Sequence, residues 1–96
     1  MKIHNKKLLE DFRDSHADAQ TQIDSWVVIT QAATWQTPAE LRQQFPTARF
    51  VKGNHVIFKI CGNKYRLWVL ATFKHGIILI KNIGNHNEYD RWDIGK

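Results

Sequence analysis

In the first half of the chain, apolar residues recur at spacings of three and four, the period of an amphipathic helix. Leu8, Leu9 and Phe12 give one short helix an apolar side, and Asn5 stands where its N-terminal cap is expected. The same spacing predicts a longer helix over residues 17–33.

A capping sequence marks the start of a third, short helix. Thr37 and Glu40 can each accept a hydrogen bond from a backbone N–H that the helix leaves free, and Pro38 suits the first helical position. Pro46 ends this helix, because the residue before a proline avoids the helical conformation.

After residue 48 the apolar period changes to two, and β-branched and aromatic residues become frequent. Three antiparallel strands are predicted, over residues 55–61, 64–73 and 77–83. Residues 1–4 can add an opening strand, whereas the strand-like pattern at residues 50–51 is too short to assign. Helices followed by strands predict an α+β domain, with two to three helices packed on a twisted, mainly antiparallel sheet of three to four strands.

The turn Gly62-Asn63 sets the register of the first hairpin, because glycine accepts the positive φ that two-residue turns require. Lys59 then lies opposite Arg66, and strict alternation divides the hairpin into two faces. The predicted core face carries Val56, Phe58, Ile60, Tyr65, Leu67, Val69, Ala71 and Phe73. The opposite face carries Ile57, Lys59, Cys61, Lys64, Arg66 and Trp68. Two registers that differ by one residue remain possible for the second hairpin. The choice between them decides whether Lys81 lies beside Arg66.

Charge changes the interpretation of this sheet. The chain has 96 residues and a net charge of +5; residues 49–96 hold nine Lys and Arg against three Asp and Glu, whereas residues 1–48 hold five against six. Two cations directly opposite each other weaken a hairpin, so Lys59 and Arg66 favour a bound polyanion, most commonly nucleic acid. The alternative is that these cations only keep an exposed sheet soluble.

Composition and length exclude several other classes of protein. Ninety-six residues fit one domain spanning residues 1–96. Cys61 is the single cysteine, which excludes an internal disulfide and favours the cytoplasm, and no leader or run of ~20 apolar residues indicates secretion or membrane insertion. The histidines show no metal-ligand spacing, so neither a metal nor another cofactor is expected.

The C-terminal region supplies groups that suit RNA cleavage. His86 and Tyr89 are three residues apart, which places both on one side of a helical turn. Cleavage without a metal requires an acid, a base and fixed cations around the phosphate. The candidate groups are His86, Arg66, Lys64 and Lys81. Considered alone, a histidine at the position of His86 is more often a cap or surface residue. Trp68 can either stack on a base or pack under the C-terminal segment.

The most specific motif is Gly62-Asn63-Lys64-Tyr65-Arg66, which lies within the run of residues 56–67 and is followed by Ile80-Lys81 and by the run of residues 86–90. These residues resemble the HigB-type toxins of the RelE/ParE-like superfamily. The resemblance extends upstream to residues 6–8, 16–19, 26, 39–43 and 45–46. The resemblance implies a ribosome-dependent mRNA endonuclease, an mRNA interferase, that a helix-turn-helix antitoxin of the HigA type holds inactive. Operator DNA would be bound only through that antitoxin.

The resemblance also implies roles for individual residues. Arg66 and Lys64 would contact the phosphate or the transition state, and His86 and Tyr89 would lie near the scissile bond. The remaining candidates for RNA binding on the basic face are Lys59, Trp68, Lys52 and Arg49.

Five residues depart from the family pattern; the departures at Ala17 and Cys61 are minor, and the other three bear on the site. The chain has Lys81 where arginine is usual, Asn85 where threonine usually precedes the histidine, and Trp92 where an aliphatic residue is usual. Lysine keeps the charge but loses the planar fork that binds phosphate at two points, which allows a weakened toxin. Two other interpretations remain open: a non-catalytic RNA-binding module, and a toxin directed at DNA gyrase.

Overall fold

A computed structural model describes residues 1–94 of the chain. The helices are α1 (Lys6–Ser15), α2 (Gln20–Ala32), α3 (Pro38–Gln44) and α4 (His86–Tyr89), with 3-10 turns at Ala17–Ala19 and Phe73–His75. The strands are β1 (Lys2–His4), β2 (Arg49–Val51), β3 (His55–Ile60), β4 (Tyr65–Thr72) and β5 (Ile77–Asn85). The α+β class is confirmed. No helix within residues 1–94 has the length and apolar character needed to cross a membrane.

The sheet has five strands in the order β1-β5-β4-β3-β2, one more than the largest number predicted. β1 runs parallel to β5, and the other three pairs are antiparallel. The additional strand is β2, which pairs with β3 through Phe50 opposite Val56. Both edge strands have only three residues, so their pairing partners define them more clearly than their own sequence does.

The register predicted for the β3–β4 hairpin is confirmed, with Lys59 opposite Arg66 and Ile60 opposite Tyr65. The predicted core face is confirmed as well. Trp26 of α2 packs edge-on against Phe58 with ring centroids 5.4 Å apart. Leu9 of α1 and Leu41 of α3 are also buried in this core. Helices α1, α2 and α3 therefore cover one side of the sheet, and we call the opposite side the outer face.

Two turn residues do not lie where strict alternation put them. Cys61 and Lys64 leave the β3–β4 ladder and turn towards the 3-10 segment that precedes α2. Cys61 Sγ donates to the backbone carbonyl of Asp18 at 3.2 Å, and Lys64 forms an ion pair with the Asp18 carboxylate. The prediction that both share a face with Arg66 is therefore wrong, because the chain adopts positive φ angles at Cys61 and Gly62 and departs from strand geometry there.

The three predicted helices are present as α1, α2 and α3, and α4 is a fourth helix beyond the two to three predicted. The first two helices begin differently from the prediction. Asn5 precedes α1 with φ 63° and makes no side-chain cap; its Nδ2 instead donates to the carbonyl of Ile80 at 2.9 Å. The second helix begins with a 3-10 turn, so α2 starts at Gln20. The capping box of α3 is confirmed: Glu40 N donates to Thr37 Oγ1, and Thr37 N donates to Glu40 Oε2.

A β-bulge in β5 settles the register of the second hairpin. Trp68 pairs with Asn82 and Val69 pairs with Ile80, which leaves Lys81 without a partner in the ladder. Strict alternation would put Ile80 and Ile83 on opposite faces, yet both are buried in the core. The extra residue corrects the alternation, and it places Lys81 beside Trp68 on the outer face.

Candidate functional site

The outer face carries positive charge that no neighbouring strand residue offsets. Arg49, Lys59, Arg66 and Lys81 all lie on it, and none of the five strands contains an Asp or Glu. The ion pairs of α1 and of the 3-10 turn lie elsewhere, at Lys7, Arg13 and Lys64. The sheet therefore presents a cationic surface of the kind predicted from the sequence.

Arg66 is the most constrained of these cations, with only 9% of its surface exposed. Its Nη1 donates to the carbonyl of Asn63 at 2.9 Å and to the carbonyl of Tyr65 at 3.3 Å. Within residues 1–94 no carboxylate forms a salt bridge with it. A largely buried charge without a counter-ion is costly, and an anion bound at the free edge of the guanidinium would offset that cost.

The helical turn α4 brings aromatic and imidazole rings to Arg66. Its capping box holds it at the end of β5: Glu88 N donates to Asn85 Oδ1 at 2.9 Å, and Asn85 N donates to Glu88 Oε1 at 3.0 Å. The guanidinium carbon of Arg66 lies 5.7 Å from the centroid of the Tyr89 ring, and the Tyr89 and His86 centroids are 6.1 Å apart. His86 Nε2 lies 3.8 Å from Asp90 Oδ2.

Gly84 is a residue of this site that sequence reasoning missed. It pairs with Arg66 across the β4–β5 ladder, and a Cβ at this position would lie 3.1 Å from three side-chain atoms of Glu88. A residue with a side chain would therefore push against the capping box of α4. The signal was a lone glycine inside a strand, which often marks a close approach of another group.

A continuous series of rings, Tyr89, Trp92 and Trp68, extends from Arg66 across the outer face, and we call it the aromatic row. Tyr89 meets Trp92 edge-on with centroids 5.7 Å apart, and Trp92 stacks on Trp68 at 5.9 Å with planes 29° from parallel. The Lys81 Nζ lies 5.6 Å from the centroid of Trp68.

His55, which was not predicted as a site residue, fixes the orientation of Trp68. Trp68 Nε1 donates to His55 Nδ1 at 3.0 Å. Burial, and secondarily the charge of Lys81, lowers the pKa of His55 below its usual 6.5. His55 is a diagonal cross-strand neighbour of Trp68, so the predicted register alone contained the signal that would have identified this contact.

The structure therefore brings together five of the predicted residues: Arg66, His86, Tyr89, Trp68 and Lys81. Lys59 is opposite Arg66 in the ladder and is exposed, whereas Arg49 lies one strand further out, opposite Ile57. Lys52 lies in the turn between β2 and β3.

Lys64 is held away from the guanidinium of Arg66. Its ammonium binds the Asp18 carboxylate, which also accepts a hydrogen bond from the Tyr65 hydroxyl at 3.0 Å. The hydrogen bond between the two charged groups lowers the pKa of Asp18 and raises that of Lys64. Lys64 thus anchors the β3–β4 turn to the segment before α2.

The chemistry available at this site is that of a fixed guanidinium beside an accessible imidazole. Arg66 can hold an anion, and His86, with 58% of its side chain exposed, can exchange a proton with a bound molecule. Within residues 1–94, no group of three or more His, Cys, Asp or Glu side chains is arranged to hold a metal ion.

Comparison with known proteins places this arrangement in a family. A search among curated proteins found no match. A family model described as HigB_toxin, the RelE-like toxic component of a toxin-antitoxin system, matches residues 19–92. The match covers well over half of the chain, including β2 to β5, α4 and the aromatic row. The chain therefore belongs to the HigB family of RelE-like toxins, each of which is one component of a toxin-antitoxin system.

Proposed function

We propose that this protein is a type II toxin that cleaves mRNA on the ribosome and so inhibits translation. One observation carries the proposal: the nearly buried Arg66 has no carboxylate partner within residues 1–94 and lies against the Tyr89 ring, next to His86. A cation held in this way suits the charge that accumulates on a phosphate as it is attacked.

In the proposed reaction, the 2′-hydroxyl of one nucleotide attacks the adjacent phosphorus. The hydroxyl loses its proton as the O2′–P bond forms, and the 5′-oxygen leaves and gains a proton as the P–O5′ bond breaks. The products are a 2′,3′-cyclic phosphate and a free 5′-hydroxyl. His86 transfers one of these protons, and a positioned group of this kind contributes roughly 10²- to 10⁴-fold in rate.

Arg66 stabilises the transition state through its free edge. Its Nη1 is occupied by two backbone carbonyls, which leaves Nε and Nη2 to donate to the non-bridging oxygens of a bound phosphate. Lys59 and Lys81 add to the positive field from the flanking strands. Tyr89 supports the guanidinium and can stack on the RNA. The ion pair with Asp18 favours an anchoring role for Lys64 over a catalytic one.

The departures from the family pattern are compatible with activity. Asn85 accepts the hydrogen bond that caps α4, so it supports the position of His86 as a threonine cap would. Lys81 retains a positive charge on the outer face. The antitoxin partner that the family implies would be a helix-turn-helix protein of the HigA type, through which the pair would bind operator DNA. Ribosomes as the target place the protein in the cytoplasm.

Cleavage of a defined mRNA on programmed ribosomes tests the proposal. The wild-type protein should give a discrete cut, and Arg66→Ala and His86→Ala should each reduce the rate at least about 100-fold with folding intact by circular dichroism. Lys74→Ala, which removes an exposed cation from the turn before β5, is the control and should cut normally. An uncut message with bound protein would indicate an RNA-binding module instead, and DNA damage without mRNA fragments would indicate a gyrase toxin.

A further inference from the structure

A second cluster on the outer face, beside Arg66, consists of large flat rings and a cation. Trp68 and Trp92 stack on each other, and the ammonium of Lys81 lies near the Trp68 ring. Neither Trp68 nor Trp92 is fully buried, so both residues retain some contact with solvent. Proteins that bind single-stranded nucleic acid combine such rings, on which bases stack, with cations that follow the backbone.

We propose that Trp68, Trp92 and Lys81 form a subsite that stacks one nucleobase of the mRNA next to the phosphate held by Arg66. This inference rests on the proposed function and adds a substrate contact to it. Arg66 and Trp68 are alternate residues of β4 on the same face, so their Cα atoms lie roughly 7 Å apart. That separation suits a base adjacent to the bound phosphate.

The aromatic row connects this subsite to the reaction centre without a gap. Trp92 meets the Tyr89 ring edge-on, and the Tyr89 ring supports the guanidinium of Arg66. An RNA strand that places its phosphate at Arg66 can therefore reach the indoles with the adjacent nucleotide. The strands that form this face carry no acidic residue, and the nearby carboxylates of Glu88 and Asp90 belong to α4 and its C-terminal end.

Two features hold the subsite in place before RNA binds. Trp68 Nε1, the single donor of the indole, is occupied by His55, so Trp68 would recognise a base by ring contact and not by a hydrogen bond from Nε1. Lys81 is the bulge residue of β5 and has no partner in the ladder, and its ammonium lies near the Trp68 ring on the outer face. Rings that are already ordered lose little conformational entropy on binding, which strengthens stacking.

Cleavage kinetics on ribosomes test this inference, with messages that differ only in the base on either side of the cut. Trp92→Leu should lower kcat/KM by roughly 5- to 150-fold, mainly through KM, and should reduce the differences between bases. Trp92→Phe keeps a stacking surface and should retain most of the base dependence. Equal base dependence in the wild type, Trp92→Leu and Trp92→Phe would overturn the subsite.

A measurement without variants covers the case in which Trp92→Leu fails to fold. A message with 5-iodouridine beside the cut is irradiated on ribosomes with the wild-type protein, and the crosslinked residue is identified by mass spectrometry. An adduct on Trp68 or Trp92 supports the subsite, and adducts confined to other residues overturn it. If Arg66→Ala abolishes cleavage while no base contact is found at the indoles, the subsite fails and the ribonuclease stands.

Discussion

Replacing Arg66 with methionine should separate the requirements of folding from those of function. The substitution removes two hydrogen bonds from a charged donor, one of them long at 3.3 Å, which together contribute about 3 kcal/mol. It also removes the cost of burying a cation without a counter-ion, several kcal/mol, and the repulsion from Lys59 directly opposite, about 0.2 to 1 kcal/mol. These opposing contributions leave Arg66→Met about 0 to 2 kcal/mol more stable than the wild type.

Thermal unfolding followed by circular dichroism measures the change. A domain of this size shifts by about 4 to 8 °C in Tm per kcal/mol, so the Tm of Arg66→Met should equal or exceed that of the wild type, while cleavage is lost. The difference in Tm between the two proteins should be smaller at about 500 mM salt than at about 50 mM salt, because salt screens the repulsion between Lys59 and Arg66. Inorganic phosphate should raise the Tm of the wild type but not that of the variant.

A fall of about 5 °C or more in the Tm of Arg66→Met would refute this reasoning, because it would show that the guanidinium supports the fold. Its burial would then reflect packing alone. An equal increase in the Tm of both proteins with phosphate would likewise place the anion somewhere other than Arg66.

Two further outcomes are expected. The pKa of His55 is lowered, so its contribution to stability is complete above its usual value of 6.5 and is lost as the pH falls through the lower folded-state value. Tm measured from about pH 7.5 to about pH 5 should therefore fall more in the wild type than in His55→Gln, which keeps an acceptor for Trp68; parallel curves would contradict this. Gly84→Ala should cost about 1 kcal/mol by opening the capping box, and about 10- to 100-fold in cleavage by displacing α4. When Glu88 is also replaced by alanine, Gly84→Ala should add little to the loss of stability or of cleavage. An undiminished effect of Gly84→Ala in that background would exclude the contact with Glu88 as the cause.

The register of the β3–β4 ladder could be predicted to the residue because two local signals agree. The turn at Gly62 sets the register, and the alternation of apolar residues on both strands supports the same register. The edge strands could not be predicted with the same certainty, because three residues carry too little pattern and their pairing is decided by distant partners. Asn5 misled for a different reason: asparagine suits a helix cap and a left-handed turn equally, and the structure uses the turn.

Within the site, Arg66, His86 and Tyr89 could be proposed together from motif spacing and family resemblance, and the structure does bring their side chains together. The partner of Lys64 could not be predicted, since Asp18 is 46 positions away in the sequence. The bulge at Lys81 had a signal that went unused: Ile80 and Ile83 are three apart, and an unbroken strand cannot bury both.

Because of that bulge, the choice of side chain at position 81 is independent of the pairing and core packing of β5. Since Lys81 has no partner in the ladder, exchanging its side chain alters neither the pairing of β4 with β5 nor the packing beneath. Exchanging Lys81 for arginine would therefore change a contact on the outer face with no compensating change in the interior. If the outer face binds RNA as proposed, single substitutions at Lys81 would change substrate preference while the scaffold stays constant.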